Sequence, residues 1–223
     1  MKILLATSNP HKLEEIRAIF SQCDTNSGQS DAAPIDLVSL DVLEQDIEEP
    51  VENGKTFEAN ALIKAEPYAT ATGIITLADD SGLEVDALGG APGVHSARYA
   101  GAQGPRRQVD LANNRLLLKH LARIPTEHRT ARFVCAMALI AKSIRIQVRG
   151  VVKGRILRPE EAADPNAPHL GRGQNGFGYD PLFHVEQFGK TTAQLTCAQK
   201  NRISHRGQAA RRMWAKIKTF CHQ

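Results

Sequence analysis

In Ile74-Ile75-Thr76-Leu77-Ala78-Asp79-Asp80-Ser81-Gly82-Leu83 an apolar run breaks off at two adjacent carboxylates, a hydroxyl and a glycine. The run predicts a buried strand over residues 74–78. The end of a strand is where α/β proteins gather their chemistry. Neighbouring carboxylates placed there repel each other and lose hydration, so they require a counter-charge. A hard divalent cation is the simplest one. The pair by itself names no reaction.

Upstream of this stretch, residues 2–6 read as a first strand feeding a helix over 10–20, with Asn9 as N-cap and Pro10 at the first helical position. Its apolar positions Leu13, Ile16, Ile19 and Phe20 share one face. Residues 21–34, rich in Ser, Asp, Asn and Gly, predict a mobile loop, and 35–40 a second short strand. Residues 56–72 read as a helix whose regularity Pro67 limits. Downstream, 89–93 is a turn cluster and 109–121 an amphipathic helix carried by Leu111, Leu116, Leu117, Leu118 and Leu121. Residues 131–141 and 144–152 predict antiparallel strands around Lys142-Ser143, 159–178 a loop region, and 206–220 a closing helix buried through Ala209, Ala210, Met213, Trp214 and Ile217. No repeat is present. Hairpin and crossover connections together imply an α/β fold with a mixed sheet flanked by helices.

The length of 223 residues suits one domain over 1–223, built as two lobes, and 42% hydrophobic content is enough for a core. No apolar run has membrane-spanning length, and the N-terminus is too short for a signal peptide. Cys23, Cys135, Cys197 and Cys221 are far apart, with no metal-ligand spacing, which reads as reduced thiols in a cytoplasmic protein. The net charge of +4 suits nucleic acid or a polyanionic small substrate such as a nucleotide. Residues 41–58 are acidic and 200–218 basic. They form either a metal-collecting and a phosphate-collecting side of one cleft, or two solvated faces.

Thr7-Ser8-Asn9-Pro10-His11-Lys12 sits where the first strand meets a helix N-terminus. Amides, hydroxyls and Lys12 there can cradle phosphate, or Ser8 and Asn9 can simply cap the helix. Gly171-x-Gly173-x-x-Gly176 matches a dinucleotide fingerprint only on paper, since no strand precedes it and Pro181 interrupts the helix that should follow. In Asn175-Gly176-Phe177-Gly178-Tyr179-Asp180-Pro181, glycines around two aromatics suit either a planar base stacked on a ring or a turn with a core Phe. Asp80-Ser81-Gly82 resembles an aspartic-protease signature, but such enzymes need two copies and this chain has one. Lys200 and Arg206, in Lys200-Asn201-Arg202-Ile203-Ser204-His205-Arg206-Gly207, offer donors for phosphate or carbonyl oxygens. The segment also reads as a basic cap, or as a nucleic-acid patch continuing through Arg211 and Arg212, although one Trp and no nucleic-acid module make the patch weak.

Five motifs follow one another along nearly the whole chain: Thr7-Ser8-Asn9-x-x-Lys12, Ala78-Asp79-Asp80-Ser81-Gly82-Leu83, Gly89-Gly90-Ala91-Pro92-Gly93-Val94-x-Ser96-Ala97-Arg98-Tyr99, Gly176-Phe177-Gly178-Tyr179-Asp180-Pro181 and Lys200-x-x-Ile203-Ser204-His205-Arg206-Gly207. Together they resemble the inosine triphosphate pyrophosphatase family in its bacterial dITP/XTP pyrophosphatase form. The resemblance implies Mg²⁺-dependent cleavage of non-standard purine nucleoside triphosphates (dITP, ITP, XTP) to the monophosphate and pyrophosphate. It also implies a homodimer, and an elongated mixed sheet with the active-site cleft between two lobes. By position, Asp80 matches the family's proton acceptor and metal ligand, and Glu52 its second metal carboxylate. Thr7, Ser8, Asn9, Pro10, His11, Lys12, Ser81, Phe177, Gly178, Tyr179, Asp180, Lys200, His205 and Arg206 match substrate-binding positions. Phe177 is then expected to stack on the base, with Lys200 and Arg206 donating to its 6-oxo group and Asp79 assisting as a further ligand or orienter.

The chain departs from the family pattern in one place. Thr-Phe-x-Glu-Asn-Ala is usual, whereas Thr56-Phe57-Glu58-Ala59-Asn60-Ala61 sets the glutamate one residue earlier, turning its carboxylate by about 100° on a helix. The stretches 23–34 and 160–172 are also longer than typical. Two other readings stand beside the enzyme: a nucleic-acid-binding module using the basic C-terminal helix, and a non-catalytic nucleotide sensor of the same fold.

Overall fold

A computed structural model describes residues 1–26, 35–43, 45–142 and 144–221. Most of the expected 21–34 loop, Glu44 of the acidic segment and Ser143 of the hairpin lie outside the described residues. The strands are β1 (Lys2–Leu5), β2 (Asp36–Val38), β3 (Thr76–Val85), β4 (Thr130–Ala141), β5 (Ile144–Ile156), β6 (Phe183–Val185) and β7 (Lys190–Thr191). The helices are α1 (Pro10–Asn26), α2 (Phe57–Thr72), α3 (Arg106–His120), α4 (Cys197–Ile203) and α5 (His205–Cys221). The sheet order is β2-β1-β3-β4-β5-β6-β7. β1 runs parallel to β2 and β3, while β6 is antiparallel to β5 and β7, so the sheet is mixed, as expected.

The chain divides into two compact units, residues 1–81, 135–151 and 204–223 in the first and 82–134 and 152–203 in the second. In the first unit, Ile3, Leu5 and Leu77 pack with Ile16 and Phe20 of α1 and with Ala209, Met213 and Ile217 of α5. The alternate residues Leu4 and Ala78 pack with Ala65 and Tyr68 of α2. Both sheet faces are therefore covered, which is why the parallel strands read as continuous apolar runs. In the second unit, Leu83, Val85, Leu117, Leu121, Phe133, Ile156, Tyr179 and Phe183 form the core. Beside it the buried Arg129 guanidinium donates to the carbonyls of Leu121 (2.7 Å), Ile124 (3.3 Å), Ile156 (3.1 Å) and Leu157 (2.9 Å).

Several boundaries differ from expectation. β3 does not stop at Ala78; it runs on to Val85, so Asp79 and Asp80 lie within it. The strand that ends here is β1, whose Leu5 is opposite Leu77, and Ala6 N donates to Leu77 O at 2.8 Å. α1 continues through residues 21–26 because tertiary partners hold that polar turn: Trp214 Nε1 donates to Asp24 Oδ1 at 2.9 Å, and Lys218 lies 3.1 Å from it. β5 extends to Ile156, past the expected 152, and its glycines allow close backbone approach. A Cβ on Gly150 would lie 2.1 Å from His205 O, and one on Gly154 2.2 Å from His184 O. The short, polar α4 has no apolar periodicity to announce it, and α2 accommodates Pro67 within its span.

Candidate active site

Successive side chains on a strand point to opposite faces. Asp79 shares its face with Leu77 and looks toward α1 and α5; Asp80 shares its face with Ala78 and looks toward α2. The adjacent pair is thus split, and each carboxylate meets its own partners. Lys12 Nζ lies 3.0 Å from Asp79 Oδ2 and Arg206 Nε 3.6 Å from it. Asp79 is fully buried. Burial opposes its ionisation, yet Lys12, Arg206 and Lys64 hold the carboxyl well below the usual carboxylate range. Asp79 is the counter-ion of the buried Arg206 and the partly buried Lys12, and among the described residues its Oδ1 accepts no hydrogen bond.

Asp80 is 7% exposed, and its oxygens accept from Asn60 Nδ2 (3.0 Å) and Ser81 N (2.9 Å). Burial pushes its pKa up, only partly offset by Lys64, Lys12 and the Asn60 hydrogen bond, with Glu52 adding to the rise. α2 supplies this environment. Thr56 caps it by accepting from Ala59 N, and Asn60 Oδ1 accepts from Gly54 N at 2.8 Å, which fixes the Asn60 amide with its Nδ2 toward Asp80. One turn on, Lys64 Nζ lies 3.0 Å from Glu52 Oε1 and donates to Asp79 O at 3.0 Å. Glu58 leaves this group, pairing instead with Arg149 at 2.7 Å. Its shift along the helix has turned it away, as the 100° rotation requires.

The turn between β1 and α1 is capped from within. Thr7 Oγ1 accepts from Asn9 N, and Asn9 Oδ1 accepts from His11 N. Ser8 Oγ is 3.5 Å from Glu49, Pro10 opens α1, and Lys12 turns inward. Arg206 Nη2 donates to Ser81 Oγ at 2.8 Å and Nη1 pairs with Glu15. Arg206 is thus surrounded by Ser81, Glu15 and Asp79. His205, buried at the start of α5, brings its carbonyl against Gly150.

The second unit holds the glycine–aromatic turn. Asp180 Oδ2 accepts from Phe177 N (2.9 Å) and from Lys200 Nζ (2.8 Å), and Oδ1 accepts from Thr192 Oγ1 (2.8 Å). Gly176 has φ 77°, and a Cβ there would fall 2.0 Å from Asp180 Oδ2, so only glycine fits. Lys200 Nζ lies 5.2 Å from the Phe177 ring centroid. Tyr179 is buried and its hydroxyl donates to Ser96 O at 2.9 Å, which makes it a core residue of the turn. Asn60, Lys64, Glu15 and Thr192 join these groups although sequence reasoning did not single them out. The spacing of Thr56, Asn60 and Lys64, four residues apart on one helix face, was the available signal.

The sequence model of the Ham1 family matches residues 3–216 of the chain. A dITP/XTP pyrophosphatase of Exiguobacterium sibiricum is 43% identical over 222 residues, covering 99% of this chain and 98% of that protein. A dITP/XTP pyrophosphatase of Corynebacterium efficiens is 45% identical over 219 residues, covering 95% and 94%. Among solved structures, a HAM1 protein from Coxiella burnetii superposes with a TM-score of 0.79 at 34% identity, covering 98% of this chain and 99% of that one.

Proposed function

The chain belongs to the Ham1 family, and from that premise we propose that it is a nucleoside-triphosphate pyrophosphohydrolase. It hydrolyses non-standard purine triphosphates (dITP, ITP, XTP) to the monophosphate and pyrophosphate, which clears them from the nucleotide pool. The observation that carries this reading is the unequal pair on β3. Asp79 is held ionised by the partly buried Lys12 and the buried Arg206, while Asp80 has a raised pKa and a fixed orientation. A carboxylate of raised basicity suits a general base, and Asp80 takes the proton of the water that attacks the α-phosphorus. Ser81 Oγ, oriented by Arg206, and Lys12 with the 7–11 turn bind the polyphosphate. Phe177 stacks on the base, and Lys200 donates to its 6-oxo group. An adenine amino group in that place leaves the donor unpaired, which disfavours dATP.

The donor set fits Mg²⁺. Each Asp80 oxygen accepts one hydrogen bond and keeps further lone-pair capacity, and Glu52 remains a quarter exposed beside Lys64. Asp80 and Glu52 would hold the ion, two carboxylates being the share Mg²⁺ usually takes from a protein beside substrate phosphates. When bound, it would neutralise the polyphosphate and ease departure of pyrophosphate. We also read the protein as a cytoplasmic homodimer; among the described residues no helix is long and apolar enough to cross a membrane. Lys200 and Arg206 are buried on Asp180 and on Glu15 with Asp79, which favours the enzyme over a nucleic-acid patch built on them.

The test is product analysis with dITP and Mg²⁺. Pyrophosphate and dIMP are expected, with Asp80→Asn losing most turnover while still binding nucleotide. Orthophosphate as the first product, or near-normal kcat in the variant, would overturn the reading.

A further inference from the structure

The Phe177 turn is held internally only in part. Phe177 N and Asp180 N bond within the turn, to Asp180 Oδ2 and to Phe177 O. The peptide groups of Gly178, with φ 62°, are instead taken up by α3. Asp110 Oδ2 accepts from Gly178 N at 2.9 Å. Asn114, one helical turn later, donates Nδ2 to Gly178 O at 3.3 Å and to His169 O at 3.3 Å. One turn earlier, Arg106 Nε lies 2.9 Å from Asp110 Oδ1 and its Cζ 5.9 Å from the Phe177 ring centroid. Asp110 and Asn114 are 8% and 2% exposed. Positions 106, 110 and 114 thus form one row along the helix, i, i+4 and i+8, aimed at the two peptide groups of Gly178 and the ring beside them.

We propose that Asp110 and Asn114 are positioning residues for purine recognition. By clamping both peptide groups of Gly178 they fix the plane of Phe177, and Arg106 keeps the Asp110 carboxylate in place and covers the ring. A left-handed glycine with no side chain has many alternatives open to it, so a clamp from outside the turn is needed to hold one. A buried carboxylate and a buried amide are costly unless they are hydrogen-bonded, and here Asp110 Oδ2 and Asn114 Nδ2 both go to the same glycine. The groups this row meets, Gly178, the His169 carbonyl and the Phe177 ring, are none of them assigned to the polyphosphate. The row should therefore govern affinity for the base and leave the hydrolytic step alone.

The inference rests on the base-binding role given to Phe177, so Phe177→Ala serves as its control. Four variants of the full chain are compared with dITP under Mg²⁺: Phe177→Ala, Asp110→Ala, Asp110→Asn and Asn114→Ala. Asp110→Ala is expected to raise KM roughly tenfold with kcat within about twofold, the loss of one charge-assisted hydrogen bond. The inhibition constant of pyrophosphate, which has no base, should not change; a general loss of structure would move it too. Asp110→Asn, whose amide oxygen can still accept from Gly178 N, should recover most of the KM. If Asp110→Ala fails to fold, Asn114→Ala carries the test and should raise KM several-fold. Unchanged KM in the folded variants, a parallel loss of pyrophosphate binding, or an Asn variant no better than Ala overturns the clamp. If Phe177→Ala itself leaves the dITP KM unchanged, it is the base-binding reading that fails.

Discussion

Asp79 and Asp80 show how one backbone bond can separate two chemical roles. The carboxylates were expected to repel across a shared site and to demand a cation. The pleat sends them to opposite faces, so each finds protein partners of its own. Asp80 has its pKa raised above the ordinary 3.8, chiefly by burial. A base whose pKa is raised is protonated, and idle, over a wider acidic range. The Asp80 carboxyl of the metal-free protein should therefore titrate above pH 3.8 by NMR, and a midpoint at or below that value would deny Asp80 its raised basicity. Asp79 is a stability residue. Asp79→Asn leaves the buried Arg206 and the partly buried Lys12 without their shared counter-charge and should cost about 3–5 kcal/mol in urea unfolding. A loss below about 1 kcal/mol would show that the cations re-pair elsewhere.

At the scale of elements, helices α2 and α3 use their polar faces as tools. The hydrogen bond from Gly54 to Asn60 fixes which end of the amide meets Asp80. A Cβ on Gly54 would lie 2.6 Å from Asn60 Oδ1, so Gly54→Ala should displace Asn60 and lower kcat roughly 10- to 100-fold with less effect on KM. Steady-state kinetics beside circular dichroism checks this; a normal kcat would mean that Asn60 does not set the base. Farther along, Arg155 of β5 pairs with Glu161 at 2.7 Å, and Glu161 also accepts from Arg158 N. The Arg155 hydrogen bond lowers the Glu161 pKa to about 2 from an ordinary 4.5, against the effect of partial burial. A depressed carboxylate stabilises the fold above its unfolded pKa and loses that contribution as pH falls. The Tm gap between wild type and Glu161→Gln should therefore be full above pH 4.5 and close between there and about 2. A gap that does not change with pH would assign the effect to packing.

For the whole molecule, the proposed homodimer predicts a sedimenting mass twice the chain's 24.3 kDa, and a monomer at micromolar concentration would reject it. His95, Ala97 and Arg98 in the 89–99 turn are exposed, whereas Pro92 and Ser96 are buried. The sequence by itself determined the helices whose apolar residues recur every three to four positions, as in α1 and α5. It determined the mixed α/β class, and the ordered motifs that mark the family. Those signals are local, and burial reinforces them. The tertiary structure decided what local pattern cannot encode. It carried β3 past its carboxylates because β1 ends beside Leu77, and extended α1 because α5 gives Asp24 its partners. It turned Arg206 to Asp79 and Ser81, and sent Glu58 to Arg149. It also spent the polar row of α3 on one glycine, where periodicity had registered only the leucines. A side chain's role follows from the charge and hydrogen-bonding groups that surround it, and distant segments supply those only once the chain has folded.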